Sequence, residues 1–476
     1  MTPRACFRFD AGPRIGGGHA MRALALADAL AANGWACTLA TNADAGDTVP
    51  ALAWSGHELI AVATRDAVPM TQEFDLLVVD HYGLDAAFER ACRPRARQIL
   101  AIDDLADRPH DADIVVDPTP GQTAGRYEAH LAPGARCLAG PGYAPLRPQF
   151  QRARGHDRRP AARIERVLVS AGAGDPTGLA GRALAGVRQV LPDARVDIVG
   201  RAPAEPSDDA RVRRLSGVDD MAALYRAADV CIGAVGVSAL ERACVGLPTL
   251  AVITADNQEL VAEGLARAGA IRLLGRDDAL GPGDIAAALP ALGPQDLSAM
   301  ADAGRALCDG RGVQRLQLAI AGVDTATPLR LRLAEPDDGD RMLEWQRDPR
   351  TRRYARNPQA PTPAEHAGWL SGVLADPDRM LLMVCEATRP VGVLRFDAVR
   401  GGAREISIYL DPGLQGRGHG RAALALARRL FPAIAIEAEV LPDNAASRRA
   451  FAAAGFAAVS DTRMIAHANR DVAHAH

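Results

Sequence analysis

Three glycine-rich turns carry the side chains best placed for chemistry. In the first, Gly16-Gly17-Gly18-His19 follows a strand-like run at 5–9 and opens a helical pattern over 21–30. Glycines let the backbone turn sharply there and bring a ligand to the free N–H groups of a helix start, which favour anions. Histidine titrates near neutral pH, so His19 at that position can serve as a base, although an isolated histidine can equally cap a helix. A dinucleotide site does not fit: the pattern needs a third glycine at Met21, and the second strand ends in Thr41 and Asn42 rather than an acid. The second turn, Gly233-Ala234-Val235-Gly236, leads into Ser238 and Glu241, a Ser-x-x-Glu capping box with Gly246 as its left-handed end. The same residues could hold a diphosphate and ribose hydroxyls, and the two readings can coexist. The third is Gln415-Gly416-Arg417-Gly418-His419-Gly420, after a strand over 405–410. Consecutive N–H groups there could hold a pyrophosphate, assisted by Arg417 and Arg421.

Alternating short apolar runs and Ala/Leu-rich helical patterns position the first two turns, which is the signature of parallel α/β units. Strands are expected at 5–9, 36–40, 76–79 and 99–102 in one Rossmann-like series. A second series has strands at 167–170, 196–199, 230–233 and 249–253, then helical sequence to about residue 321. An Arg- and Pro-rich linker is expected at 152–163 and a second junction at 324–328. Beyond it the pattern is α+β, with 390–397 and 405–410 as neighbouring antiparallel strands. The expected domains are 1–155, 164–323 and 328–470.

Composition narrows the chemistry further. The 476 residues suit about three domains, and 48% hydrophobic and 24% charged residues with a net charge of −3 describe a soluble globular protein. All 55 basic residues are arginine, which removes Walker A, Schiff-base and kinase lysine chemistry together. No basic block points to nucleic acid. The eight cysteines are scattered, with no Cys-x-x-Cys pair, so reduced core thiols and no metal are expected. Without a signal-like start or an apolar run of about 18 residues, a cytoplasmic protein with no membrane partner is expected.

The run Arg8-Phe9-Asp10 followed by Ile15-Gly16, Gly18-His19 and Arg22 resembles the start of the pseudaminic acid pathway UDP-sugar hydrolase family. The likeness continues in Val79-Asp80-His81-Tyr82-Gly83-Leu84-Asp85, in Ile102-Asp103-Asp104-Leu105-Ala106-Asp107-Arg108 and in the segment from Ala139 to Arg147. In that family the loop histidine activates water, which the resemblance transfers to His19, with Tyr82 as its partner. The second turn resembles the Gly-Gly-Ser-x-x-x-Glu nucleotide motif of the same family and of GT-B glycosyltransferases, with Val237 in place of a glycine. Asp256-Asn257-Gln258 resembles the family's Glu-Asn-Gln, and Ser170 to Asp175 resembles its Gly-Gly-Thr-Asp turn. The resemblance thus implies two Rossmann-like domains in a GT-B arrangement, with Asn257 joining His19 and Tyr82 in catalysis. Asp10, Gly16, Gly18, Ser170, Gly236, Ser238, Glu241 and Gln258 would bind the UDP-sugar.

The third turn, with Asn444-x-x-Ser447-x-x-x-Phe451-x-x-x-Gly455-Phe456 downstream, resembles the GNAT acetyltransferases, over about 329–462. That implies acetyl-CoA as co-substrate, held by Leu410, Gln415, Gly416, Arg417, Gly418, His419, Gly420, Asn444 and Ser447. Phe451 stands where many of these enzymes carry a tyrosine acid, and Glu405 is the candidate to take the amine proton. His366, beside Trp369, reads as packing. The likeness is greatest to the branch that N-acetylates nucleotide-linked amino sugars, so a two-enzyme fusion is expected, with a UDP-linked amino sugar and acetyl-CoA as partners. A true glycosyltransferase, an inactive nucleotide-sugar sensor and, for the last domain, ribosomal-protein acetylation are the alternatives.

Overall fold

The computed structural model describes residues 2–13, 15–69, 72–154, 163–172, 175, 177–200 and 209–468. Positions 155–162 of the expected linker, Ala173 and Gly174 of the expected turn, and the domain ends at 155 and 470 lie outside the described residues. Arg152 to Arg154, expected in the linker, instead close the helix Pro148–Arg154, whose Phe150 is buried.

The first sheet contains β1 (Arg4–Phe9), β2 (Ala36–Thr41), β3 (Glu58–Ala61), β4 (Phe74–Asp80), β5 (Ala96–Ile102), β6 (Ile114–Asp117) and β7 (Arg136–Ala139). All pairs are parallel, in the order β3-β2-β1-β4-β5-β6-β7. Its inner strands are near-continuous apolar runs because helices cover both faces, as in Phe74–Asp80 with Leu76 to Val79 all buried. The strand order reverses between β1 and β4, and ligands of open α/β sheets bind at the carboxyl ends of the strands beside such a switch.

A second parallel sheet repeats the plan with β8 (Arg166–Ser170), β9 (Arg195–Val199), β10 (Val212–Leu215), β11 (Val230–Ala234), β12 (Thr249–Ile253) and β13 (Arg272–Arg276). The order β10-β9-β8-β11-β12-β13 puts its switch between β8 and β11. β13 interrupts the stretch expected to be helical up to 321; all its residues are partly exposed, so it lacks the apolar run of an inner strand.

The third sheet is mixed: β14 (Leu329–Leu333), β15 (Arg379–Glu386), β16 (Arg389–Ala398), β17 (Arg404–Leu410), β18 (Ile436–Glu439), β19 (Ala457–Ala458) and β20 (Arg463–Ala466). β16 and β17 are antiparallel neighbours, as expected, while β17 and β18 are parallel. One face packs Leu331, Leu394 and Ile406 with Phe451 and Phe456; the other packs Leu381, Met383 and Val393 with Trp345 and Leu370. By internal contacts the chain forms two compact units, one of Arg4–Asp28 with Ala36–Val313, the other chiefly of residues from Gln314 on, together with Ala29–Trp35. All eight cysteines are free thiols, seven of them buried. Among the described residues no helix is long and apolar enough to cross a membrane.

Candidate active site

β1 ends at Phe9, and the chain turns through Gly12 and Gly16, whose backbones pair (Gly16 N to Gly12 O, 2.7 Å), into α1 (Gly18–Ala31). Gly16 adopts φ +81°, a left-handed conformation that glycine takes without strain. The neighbouring strand β4 is in register Phe9↔Asp80, so the last residue of β4 lies beside the start of α1 at the switch point. There His19 Nδ1 meets Asp80 Oδ1 at 2.5 Å. Arg22, one turn along α1, clamps the same carboxylate through Nε to Oδ2 at 2.8 Å and Nη2 to Oδ1 at 2.7 Å. All three residues are buried. Burial works against ionisation of Asp80, but Arg22 and His19 outweigh it and hold its carboxyl well below the usual range. An ionised carboxylate only accepts, so the 2.5 Å contact requires a proton on His19 Nδ1, and in the neutral ring the lone pair is then on Nε2. Among the described residues Nε2 takes no hydrogen bond from the protein. That is the tautomer a general base needs.

Tyr82 packs its ring against His19, edge to face with centroids 4.9 Å apart. Its hydroxyl bonds elsewhere, donating to Asp104 Oδ2 at 3.3 Å and accepting from Asn257 Nδ2 at 2.9 Å. Burial raises the pKa of Asp104, Arg22 opposes this from 3.6 Å, and Asp103 and Asp80 add to the rise. Asp10 accepts from Arg8 Nη1 at 2.5 Å and contacts His81 Nε2 at 3.1 Å; these partners outweigh burial and lower its pKa. Arg22, Asp80 and Asp104 lie inside the sequence motifs, but without the register of β1 on β4 nothing marks them as a unit.

The Tyr82–Asn257 bond joins the first sheet's loops to the second's. A side chain on Gly18 would come within 3.2 Å of Val237 Cγ2, so a glycine there makes room for the valine. The carboxyl ends of the two parallel sheets therefore meet, the GT-B arrangement. Ser170 closes β8 opposite Gly233 of β11, and Gly236 begins α2 (Val237–Val245), with Gly246 left-handed at its end. The expected capping box is absent. The cap is Gly236, Ser238 Oγ accepts instead from Arg242 Nη1 at 3.1 Å, and Glu241 accepts from Tyr225 OH at 3.2 Å. Burial raises the pKa of Glu241 despite opposing pulls from Arg147, Tyr225 and Arg242. Gln258 Oε1 accepts from Thr254 N at 2.9 Å, which orients the residue after Asn257.

Behind the first site, Asp103 shapes the loop that presents Asp104, accepting from Ala106 N at 2.8 Å and from Tyr127 OH at 3.0 Å. His110 supports it, with Nδ1 2.8 Å from Glu89 Oε1 and Nε2 3.8 Å from Asp103 Oδ2. Burial alone lowers the pKa of His110, but Asp103 and Glu89 raise it to about 9. A pKa raised in the folded state stabilises the fold fully below the unfolded value near 6.5, and the gain is lost as pH rises through about 9. The gap corresponds to roughly 3–4 kcal/mol. His110→Gln is therefore expected to cost most at pH 6, with the difference from wild type shrinking toward pH 9.5 in urea titrations. A difference independent of pH contradicts a charged His110.

In the third sheet β17 and β18 pair only at Arg404↔Ile436 and Glu405↔Glu437, after which the strands part. Glu405 thus sits at the vertex of the split, accepting from Arg356 Nη2 at 2.7 Å; Arg356 also pairs with Glu439. Leu410 ends the splayed β17, and the turn beyond it carries Gln415, Gly416 (φ +82°), Arg417 and Gly418 (φ +87°). Gly418 caps α3 (His419–Leu430), which begins His419-Gly420 with its first N–H groups at the open end of the split. His419 Nε2 lies 3.6 Å from Glu386 Oε1. Asn444 caps α4 (Ala445–Ala453) by accepting from Ser447 N at 3.1 Å. Phe451 is buried edge to face on Phe456, 4.9 Å between centroids. His366 is buried against Trp369, in agreement with the packing reading. Among the described residues no group of three or more His, Cys, Asp or Glu could hold a metal ion.

Residues 328–457 match the acetyltransferase (GNAT) domain family. The chain is 27% identical over 331 residues to the spore coat polysaccharide biosynthesis protein SpsG of Bacillus subtilis, covering 64% of this chain and 94% of that protein. It is 29% identical over 150 residues to the UDP-2,4-diacetamido-2,4,6-trideoxy-beta-L-altropyranose hydrolase of Campylobacter jejuni, covering 31% of this chain and only 53% of that protein. Among solved structures, MurG of Acinetobacter baumannii aligns with 66% of this chain and 98% of its own at 16% identity and a TM-score of 0.45. The aminoglycoside acetyltransferase AAC(6')-Ib in complex with coenzyme A aligns with 29% of this chain and 94% of its own at 21% identity and a TM-score of 0.27. The chain therefore combines a UDP-sugar hydrolase-like N-terminal region with a GNAT acetyltransferase domain.

Proposed function

We propose that the chain performs two consecutive steps on a nucleotide-linked amino sugar. The GNAT domain transfers acetyl from acetyl-CoA to the 4-amino group of UDP-4-amino-4,6-dideoxy-N-acetyl-β-L-altrosamine. The two Rossmann-like domains then hydrolyse the product, UDP-2,4-diacetamido-2,4,6-trideoxy-β-L-altropyranose, to UDP and the free sugar. The observation that carries the hydrolase reading is the His19–Asp80 pair at the switch point of the first sheet, with Val237 and Asn257 of the second sheet's loops approaching Gly18 and Tyr82 beside it. In this reading the diphosphate rests on the N–H groups at the start of α2, near Gly236 and Ser238, and Glu241 reaches the ribose. Gly16, Gly18, Asp10 and Gln258 shape the sugar side. A water deprotonated by His19 Nε2 attacks the anomeric carbon, the bond from that carbon to the diphosphate oxygen breaks, and UDP leaves with the electron pair. The proton stays on an imidazolium that Asp80 stabilises; Tyr82 and Asn257 orient the sugar.

In the acetyl transfer, the CoA pyrophosphate lies on the Gln415 to Gly420 turn and the pantetheine arm in the split beside Leu410. Asn444 and Ser447 flank it. The amine attacks the thioester carbonyl, CoA leaves as thiolate, and Glu405 takes the amine proton directly or through water. Phe451 carries no acidic proton, so the thiolate is protonated by another group. A glycosyl acceptor in place of water is the second reading, favoured by the GT-B arrangement.

Mass spectrometry of the purified protein with acetyl-CoA and the UDP-amino sugar tests the proposal. The expected products are CoA, UDP and the free diacetamido sugar, at an undiminished rate in excess chelator. Release of UDP only when a sugar acceptor is added, or only with Mg²⁺ or Mn²⁺, points to the glycosyltransferase reading instead.

A further inference from the structure

Arg242 is fully buried, and among the described residues no carboxylate lies within ion-pairing distance of it. Its two terminal nitrogens bracket the loop between β11 and α2: Nη2 donates to Ala234 O, at the end of β11, at 2.8 Å and Nη1 to Ser238 Oγ, in the first turn of α2, at 3.1 Å. Among the described residues its Nε has no hydrogen-bond partner. A side chain on Gly233 would approach Nη1 to 3.5 Å and Ser170 O to 2.6 Å, so the guanidinium lies directly beneath the meeting of β8 and β11 at the switch point. Stripping a guanidinium of water is costly, and burial is usually matched by an anion. The nearest buried acid in sequence, Glu241, is bonded to Tyr225 and disfavoured as an anion by burial. The field of Arg242 therefore adds to the dipole of α2, whose N-terminus opens on the other side of the same loop.

We propose that Arg242 is an electrostatic positioning residue for the diphosphate of a nucleoside diphosphate ligand, acting through the loop rather than by touching it. The inference rests on the UDP-sugar reading and adds a residue that tells a charged nucleotide from a neutral nucleoside. It also accounts for Val237. Where a valine restricts how closely the backbone meets phosphate, a buried charge below the loop restores attraction at longer range.

The test is calorimetric binding of UDP, uridine and inorganic pyrophosphate to the full chain and to its Arg242→Gln and Arg242→Lys variants. Arg242→Gln is expected to lose about tenfold or more in UDP affinity and nothing in uridine affinity, with Arg242→Lys closer to wild type. Equal weakening of UDP and uridine, or no change in either, overturns the proposal. If Arg242→Gln does not fold, the wild-type chain decides: pyrophosphate must displace UDP, and UDP must outbind uridine by at least the same factor. Failure of either overturns it. Wild-type binding of pyrophosphate without binding of UDP supports the anion site and removes the UDP reading beneath it, whereas binding of neither removes both.

Discussion

Replacing His19 by alanine is expected to slow release of UDP from the diacetamido sugar nucleotide by about 10²- to 10⁴-fold, the usual contribution of a positioned general base. His19 is buried at the start of α1, with its Nδ1 proton committed to Asp80, so only Nε2 is available to water. His81 does not substitute: it is engaged by Asp10 at 3.1 Å and its Nδ1 accepts from Gly83 N at 2.9 Å. KM for the sugar nucleotide should change little, because the proposed diphosphate contacts lie on the second sheet. Acetyl transfer should persist within about twofold and serves as the folding control. Hydrolysis within a few-fold of wild type would remove His19 from the mechanism.

Much of the architecture behind that expectation is legible in the residues themselves. Inner strands such as 76–79 and 230–233 declare themselves as short apolar runs, because a parallel sheet covered on both faces leaves no polar alternation. β3 (Glu58–Ala61) and β13 do not, since edge strands with exposed residues carry no such run. The glycine turns and His19 are visible as local patterns, and so is the split-strand sequence around Glu405. Partnerships between distant segments are not. Asp80 becomes the partner of His19 only because β4, rather than β2, lies on the switch side of β1, and strand order is a property of the whole sheet. The capping box shows the converse. Ser238 and Glu241 have the right types and spacing, but the helix begins at Gly236, and tertiary partners, Arg242 and Tyr225, claim both side chains. Local preference worth about 1 kcal/mol yields where buried groups must be satisfied.

The Asp80 partnership leads to the second large effect. Asp80→Asn keeps shape but removes the charge that His19 and Arg22 share. The amide can present N–H as well as C=O to His19 Nδ1, so the imidazole is no longer held with its lone pair on Nε2, and an imidazolium formed during catalysis loses its counter-charge. A loss of about 10²- to 10⁴-fold in hydrolysis is expected from these two consequences. Stability should fall as well, because among the described residues Arg22 is left buried with only Asp104, at 3.6 Å, as an acidic neighbour. Breaking one side of a buried pair costs about 3–5 kcal/mol. The two effects separate experimentally: thermal unfolding reports the stranded Arg22, while the rate measured well below the midpoint reports the dyad. Combining Asp80→Asn with His19→Ala discriminates further. If Asp80 acts through His19, the double variant is no slower than His19→Ala alone, since residues that act as a unit are not additive. Multiplying losses would mean that Asp80 serves the substrate directly and that the histidine is positioned by something else.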